Sequence, residues 1–204
     1  MSSLKGIKEF ITQHPDRDSM FEVLAERHPI HSPGFRLVAN GYQTAKEAFD
    51  QDTRRNGERY FEHLRRVTLI LMYYRIYDPV TLCVALNHDT REDKKRWSEY
   101  QLELRFNSQV AEDIEWVSKG DLSSFKGNKN ARDYAFFSRF PELPRRPSLV
   151  KLADRLDNLM DLWDKANEKS RDEKISQTRA YYLPLAERQI FLFHELEEAM
   201  VAPP

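Results

Sequence analysis

The sequence predicts an all-α protein. Glycine is scarce, with 6 residues in 204, and the strict apolar–polar alternation of half-buried strands is nearly absent. Apolar residues recur instead three and four positions apart, the spacing that lines one face of a helix. "SLKGIKEFITQH" (3–14) and "DSMFEVLAERH" (18–28) read as short helices ended by Pro15 and Pro29. "PGFRLVANGYQTAKEAFDQD" (33–52) gives a longer helix that runs into a polar turn, "TRRNGERY" (53–60). "HLRRVTLILMYYR" (63–75) follows, then "DPVTLCVALNHDTRED" (78–93), where Asp78 suits an N-cap and Pro79 the first helical position. "WSEYQLELRFNSQVAEDIEWVSKG" (97–120) holds two helices broken near Phe106–Asn107. "DLSSFKGNKNARDYAFFSRFPELPRRP" (121–147) gives mixed signals around a Gly/Asn/Lys stretch at 126–130. "SLVKLADRLDNLMDLWDKA" (148–166) is strongly periodic, and "ISQTRAYYLPLAERQIFLFHELEEAM" (175–200) closes the chain.

Length and composition fit one domain over 1–204 with a sizeable core, and there is no repeat, low-complexity tract or interdomain linker. A net charge of −1 provides no bulk field for nucleic acid or an anionic membrane, so a charged ligand has to be held by local clusters. The single cysteine, Cys83, excludes an internal disulfide and sits in the apolar run "TLCVAL", where a buried thiol is expected. No apolar stretch reaches membrane-spanning length and "MSSLKGIKEF" has no signal-peptide core, so a soluble cytoplasmic protein is expected. His14, His28, His31 and His194 match no motif and are read as surface or helix-end residues. Trp97, Trp116 and Trp163 are read as packing, and Arg145 and Arg146 as solvated.

"NHDTRED" (87–93) concentrates one histidine and three acids at the end of an apolar run. On a helix, positions three and four apart share a face. Glu92 then lies one turn beyond His88 and Asp89, and Asp93 one turn beyond Asp89. A solvated helix end explains this, and so does a metal flanked by a carboxylate pair. His63, opening the apolar segment "RRVTLILM", and Asp154, amid periodic leucines, could complete a set of two imidazoles and two carboxylates suited to Mn, Fe, Zn or Co. Asn158 shares the Asp154 face. Spacing alone does not bring these residues together.

Four ordered blocks resemble the HD-superfamily hydrolase domain of the RelA/SpoT alarmone enzymes, including the small stand-alone alarmone hydrolases. "TRRNGERYFEH" (53–63) is similar to Arg-x-Ser-Gly-Glu-Pro-Tyr-x-x-His, and "ALNHDTRED" (85–93) to Ala-Leu-Leu-His-Asp-x-x-Glu-Asp. "KLADRLDN" (151–158) resembles Lys-Leu-Ala-Asp-Arg-x-His-Asn, and "YLPLAERQ" (182–189) resembles Tyr-Ala-Pro-Leu-Ala-x-Arg-Leu. The likeness covers roughly 42–195, leaving 1–41 as an N-terminal helical extension that could pack on the domain, pair two copies or shape the pocket.

The resemblance implies a helical HD-domain phosphohydrolase with one Mn2+ held by His63, His88, Asp89 and Asp154. It casts Glu92 and Asp93 as the pair that positions and activates water, and Arg54 as the guanine-contacting arginine, with Arg55 and Asn56 beside it. Lys119 resembles a lysine that approaches the phosphates, and Asn158 an asparagine lining the nucleotide pocket. The implied reaction removes the 3′-pyrophosphate of ppGpp or pppGpp, leaving GDP or GTP. The chemistry is coherent: a metal polarises phosphoryl oxygen and lowers the pKa of water. Two carboxylates orient the water and take its proton, and Arg54, Arg55, Lys119 and Arg155 supply local positive charge.

The sequence also departs from the family pattern. Arg59 and Leu64 replace prolines, Asn56 replaces the loop serine, and Asp157 replaces the histidine before Asn158. Two other readings therefore stand beside the first: an HD phosphohydrolase acting on another 2′- or 3′-phosphorylated nucleotide, such as an NADPH-type substrate, and a non-catalytic nucleotide sensor. Retention of Glu92 and Asp93 weighs against the sensor. The expected partner is a small nucleotide, with no nucleic acid or membrane, and the sequence leaves the oligomeric state open.

Overall fold

The computed structural model describes residues 3–54, 57–94, 96–160, 162 and 168–201, and Asp93 by its backbone only. Among these the fold is all-α. The only pairing of β type described is an isolated antiparallel bridge between Thr53 and Arg59. Capping chemistry accounts for many of the boundaries. Helix α1 spans Ser3–Gln13, and α2 (Arg17–Ala25) starts from an Asp16–Ser19 capping box. Ser32 and Pro33 start α3 (Pro33–Ala48), which is followed by α4 (Tyr60–Tyr73). Asp78 caps α5 (Pro79–Asn87) through the Thr81 N–H, as its sequence predicts. The expected break at Phe106–Asn107 separates α7 (Glu99–Arg105) from α8 (Ser108–Val117), with Asn107 as the cap.

The run at 78–93 is not one helix. The carbonyl of Asn87 accepts from the Thr90 hydroxyl at 2.6 Å instead of continuing the ladder. The chain then resumes as a single turn, α6 (Thr90–Asp93). The mixed stretch resolves into a 3-10 turn (Leu122–Phe125) and α9 (Lys129–Phe137). Helix α10 begins at Arg145, three residues before the periodic run, and continues to Met160. Then come α11 (Glu168–Gln177), a π turn (Thr178–Tyr182), α12 (Leu183–Gln189) and α13 (Phe193–Ala199). Trp97 is buried as expected but lies outside any helix, Trp116 is half-buried, and Trp163 falls outside the described residues. Arg146 is not simply solvated, because its Nε meets the buried Asp113 carboxylate at 2.6 Å.

Helix α10 is the spine. It packs against α4, α5, α8, α12 and α13, while α3 lies along α5. The N-terminal segment packs on the rest of the chain: α1 lies on α4 and α13, and Ile7, Met20, Leu24 and Val38 are fully buried in the common core. No described helix is long and apolar enough to cross a membrane. Helices α3 and α5 approach closely because Gly41 has no side chain. A Cβ there would meet Cys83 Sγ at 2.9 Å, and Asn87 Nδ2 donates to the Gly41 carbonyl at 3.1 Å.

Leu24→Ala should therefore cost about 2–5 kcal/mol, the usual penalty for a core cavity, read as a lower urea midpoint. An N-terminal segment that only decorates the domain would show almost no change. Gly41→Ala should destabilise as well, because overpacking of about 1–3 kcal/mol exceeds the helix-propensity gain of about 1 kcal/mol. A raised midpoint would contradict the close α3–α5 contact.

Candidate metal centre and active site

Three elements bring the chemistry-bearing side chains together. The turn before α4 is tightened by Arg54 N–H donating to the Glu58 carbonyl at 2.7 Å, with Gly57 at φ +82°. It delivers Arg54 and the first turn of α4 to one place. The break after α5 frees His88 and Asp89 from helical phase. Helix α10 adds Lys151, Asp154, Asp157 and Asn158, which share a face by their three- and four-residue spacing.

His63, His88 and Asp154 each offer one donor atom, all within 4.8 Å of one another. His63 Nε2 lies 3.3 Å from Asp154 Oδ1, and His88 Nε2 3.2 Å from Asp89 Oδ2. Both rings are oriented from behind. His63 Nδ1 lies 2.7 Å from Asp157 Oδ2, and His88 Nδ1 lies 2.8 Å from the Ala85 carbonyl. An Nδ1–H in each of those bonds leaves Nε2 as the lone-pair nitrogen facing the cluster. His88 Nε2 is buried and has no aligned hydrogen-bond partner. A buried polar atom left this way is costly, and the mixed N/O set around it fits a divalent ion. Asp89 is the most open member, with its side chain 15% exposed, so the cluster faces solvent on that side.

The carboxylates are held in turn. Tyr60 donates its hydroxyl to Asp89 Oδ2 at 2.7 Å. Lys151 Nζ donates to Asp154 Oδ2, and Asn158 Nδ2 to Asp154 Oδ1, both at 2.7 Å. Arg66 grips Asp157 with Nε at 2.6 Å and Nη2 at 3.1 Å.

These contacts set the titration of the site. Burial opposes charge on both imidazoles. The carboxylates of Asp154 and Asp157 outweigh it and raise the pKa of His63. Asp89, with Asp154, pushes His88 up to about 10. Burial would raise the acids, but His88 holds Asp89 low, Lys151 and the histidines hold Asp154 low, and His63 and Arg66 hold Asp157 low.

The cluster opens into a cavity of about 470 Å³. The cavity takes in Arg54, Tyr60, Glu92, Lys119, Arg155 and Asn158, so most of the expected site residues share it. Glu92 is exposed and accepts the Lys119 backbone N–H at 3.3 Å. The Lys119 ammonium lies 3.2 Å from Asp133. Arg54 donates to Asn158 Oδ1 at 2.7 Å and lies 3.3 Å from Asp157. Arg155 stacks over the Tyr182 ring at 4.0 Å. Asp93 is placed at the end of α6, but its side chain lies outside the described residues, as do Arg55 and Asn56 altogether.

Several participants escaped sequence reasoning. Tyr60 and Lys151 stand inside the quoted blocks, and Lys151 was findable as an i, i+3 partner of Asp154. Lys129, Asp133, Lys169, Glu173 and Lys174 line the far wall and carry no motif.

Residues 41–191 match the HD domain family. The chain is 34% identical over 167 residues to the guanosine-3′,5′-bis(diphosphate) 3′-pyrophosphohydrolase of Aquifex aeolicus, covering 82% of this chain and 23% of that protein. It is 36% identical over 187 residues to the bifunctional (p)ppGpp synthase/hydrolase SpoT of Escherichia coli, covering 88% of this chain and 26% of that one. The chain thus spans about a quarter of the length of these curated relatives. Among solved structures, a metazoan ortholog of SpoT, which hydrolyzes ppGpp and plays a role in starvation responses, superposes with a TM-score of 0.71. That match has 25% sequence identity and covers 80% of this chain and 93% of the other. The buried His/Asp cluster lies wholly inside the matched span, and the chain belongs to the HD domain family.

Proposed function

We propose that the chain is a single-domain, Mn2+-dependent hydrolase that removes the 3′-pyrophosphate of guanosine alarmones. ppGpp or pppGpp would yield GDP or GTP plus pyrophosphate. The observation that carries this reading is the buried trio His63, His88 and Asp154, with half-buried Asp89 beside it and no aligned hydrogen bond at His88 Nε2, opening into a cation-lined cavity. The names of the Aquifex and Escherichia relatives and the activity of the metazoan protein support the substrate class.

His63, His88, Asp89 and Asp154 would hold the ion, which when bound supplies a Lewis acid at the phosphoryl oxygens. Glu92, open to the cavity and with Asp93 next to it, takes the proton of the attacking water. The water oxygen bonds to the phosphorus that carries the ribose 3′-oxygen. The P–O3′ bond then breaks, and the 3′-oxygen leaves with a proton. Among the described lining residues, seven lysines and arginines face five acids, so the local balance is positive although the chain's net charge is −1. Lys119 and Lys129 are held by Asp133 and Glu173, and a polyanion offers each a second partner. Arg54 and Asn158, linked to each other, stand at the end of the cavity assigned to the nucleoside.

Incubating EDTA-stripped protein with ppGpp, with and without Mn2+, and separating the products by anion exchange should give GDP and pyrophosphate only with Mn2+. Orthophosphate release, or turnover of a 2′- or 3′-phosphorylated nucleotide instead, would move the reading to another nucleotide phosphohydrolase. Nucleotide binding without turnover would identify a sensor. Glu92→Gln should lower kcat by about 10²–10⁴-fold while Mn2+ affinity stays near wild type; unchanged kcat would remove Glu92 from the mechanism.

Metal loading must displace protons, because the pKa values of both histidines are raised in the metal-free site. Their stabilising contribution is complete below about pH 6.5, the unperturbed imidazole value, and is lost as pH rises through the folded value, about 10 for His88. The Tm of metal-free protein should fall from pH 6.5 towards 10, and saturating Mn2+ should flatten that slope. A metal-free profile already flat over this range would contradict the charge assignment.

A further inference from the structure

Asp157 stands where the family pattern has a histidine, and it is 1% exposed. Its carboxylate meets three cationic or ionisable groups at once. His63 Nδ1 lies 2.7 Å from Oδ2, Arg54 Nη1 3.3 Å from the same oxygen, and Arg66 holds both oxygens through Nε and Nη2. Following the contacts outward closes a ring. Arg54 Nη2 donates to Asn158 Oδ1, Asn158 Nδ2 donates to Asp154 Oδ1, and Asp154 Oδ1 faces His63 Nε2 at 3.3 Å. One buried carboxylate therefore touches the metal pole and the nucleotide pole of the cavity.

We propose that Asp157 is a positioning residue that ties the two poles together, fixing His63 with Nε2 towards the ion and holding Arg54 towards the nucleotide. The proposal rests on the reading of the site as a metal-dependent nucleotide hydrolase. A carboxylate behind a ligating histidine selects the tautomer, locks the ring and raises the basicity of the ligating nitrogen. A carboxylate that also receives a guanidinium in a fork fixes that side chain's direction. Arg66 supplies the charge that makes the arrangement tolerable in the core. It also pairs with Glu58, at the base of the turn that carries Arg54, so the turn and α10 are clamped through the same residue. Asp157 touches neither reacting atoms nor substrate in this role; it acts through His63 and Arg54.

The test is calorimetric titration of Mn2+ into EDTA-stripped wild type, Asp157→Ala and Asp157→Asn, with no nucleotide present, followed by steady-state kinetics on ppGpp at saturating Mn2+. Asp157→Ala should weaken Mn2+ binding about 10–100-fold and raise the KM for ppGpp, with kcat at saturation of both within about tenfold of wild type. That split is not the signature of a merely structural residue, whose loss lowers the folded fraction and leaves the affinity of the remaining protein intact. Asp157→Asn keeps an acceptor for His63 and loses the charge that holds the guanidiniums, so it should retain more Mn2+ affinity than Asp157→Ala while KM still rises. If Asp157→Ala does not fold, Asp157→Asn decides, through KM and through its Mn2+ affinity relative to wild type. Wild-type Mn2+ affinity and KM in the folded variants would overturn the proposal. A wild type that binds no Mn2+ would instead overturn the metal reading. Weakened Mn2+ binding in a protein inert towards ppGpp would keep Asp157 behind His63 and discard the substrate.

Discussion

Two imidazoles and two carboxylates are buried where α4, the end of α5 and α10 converge, with Asp89 half-buried beside them, and the rest of the structure accommodates that fact. An ion stripped of water costs several kcal/mol unless it finds opposite charge and hydrogen bonds. Each acid has such partners: Asp89 has Tyr60 and His88, Asp154 has Lys151 and Asn158, and Asp157 has His63 and Arg66. Asp154 finds Lys151 and Asn158 within α10, but Tyr60 for Asp89 and His63 with Arg66 for Asp157 come from α4, so those two charges are fully satisfied only when α4 is docked on the end of α5 and on α10. At the centre, His88 Nε2 has the ion-pair contact to Asp89 and no aligned hydrogen bond.

Local arrangement, not bulk composition, gives the cavity its character. A chain with net charge −1 would be expected to show little preference for polyanions. The turn at 53–59, the segment just after α8, and helices α9, α10 and α11 each send lysine or arginine to one concave surface, and α6 leaves Glu92 at its rim. A ligand with clustered phosphates and a flat base can meet charge at one end and Arg54 with Asn158 at the other.

Much of the fold was legible because capping and periodicity are local. Asp78, Asn107 and the leucines of α10 marked their elements directly. The break at 88–89 was not legible, since it depends on the Thr90 hydroxyl taking a carbonyl that helical continuation would have used. The meeting of His63 with Asp154 across 91 positions has no local signal: residue chemistry made them candidates for one set, and likeness to a family joined them. Asp157 was visible as a departure from that likeness. Its partner Arg66 lies a full turn of α4 beyond His63 with nothing to mark it, so the pairing emerged only in three dimensions. The N-terminal segment carried apolar spacing at Ile7, Met20 and Leu24, but which surface those side chains cover is a tertiary matter.

The two sides of the cavity are built to different standards of permanence. The floor is α10, twelve of whose residues are buried, so it opens only when the protein as a whole unfolds. The opposite wall is α11, which has no buried residue and is tethered by polar links such as Arg155 to Gln177 and Lys129 to Glu173. Opening that wall would break solvent-competed polar links and release one apolar side chain packed on the core, Ile175. A ligand entering past α11 would therefore meet a weakly anchored flank, while the α10 floor would keep its shape through the passage.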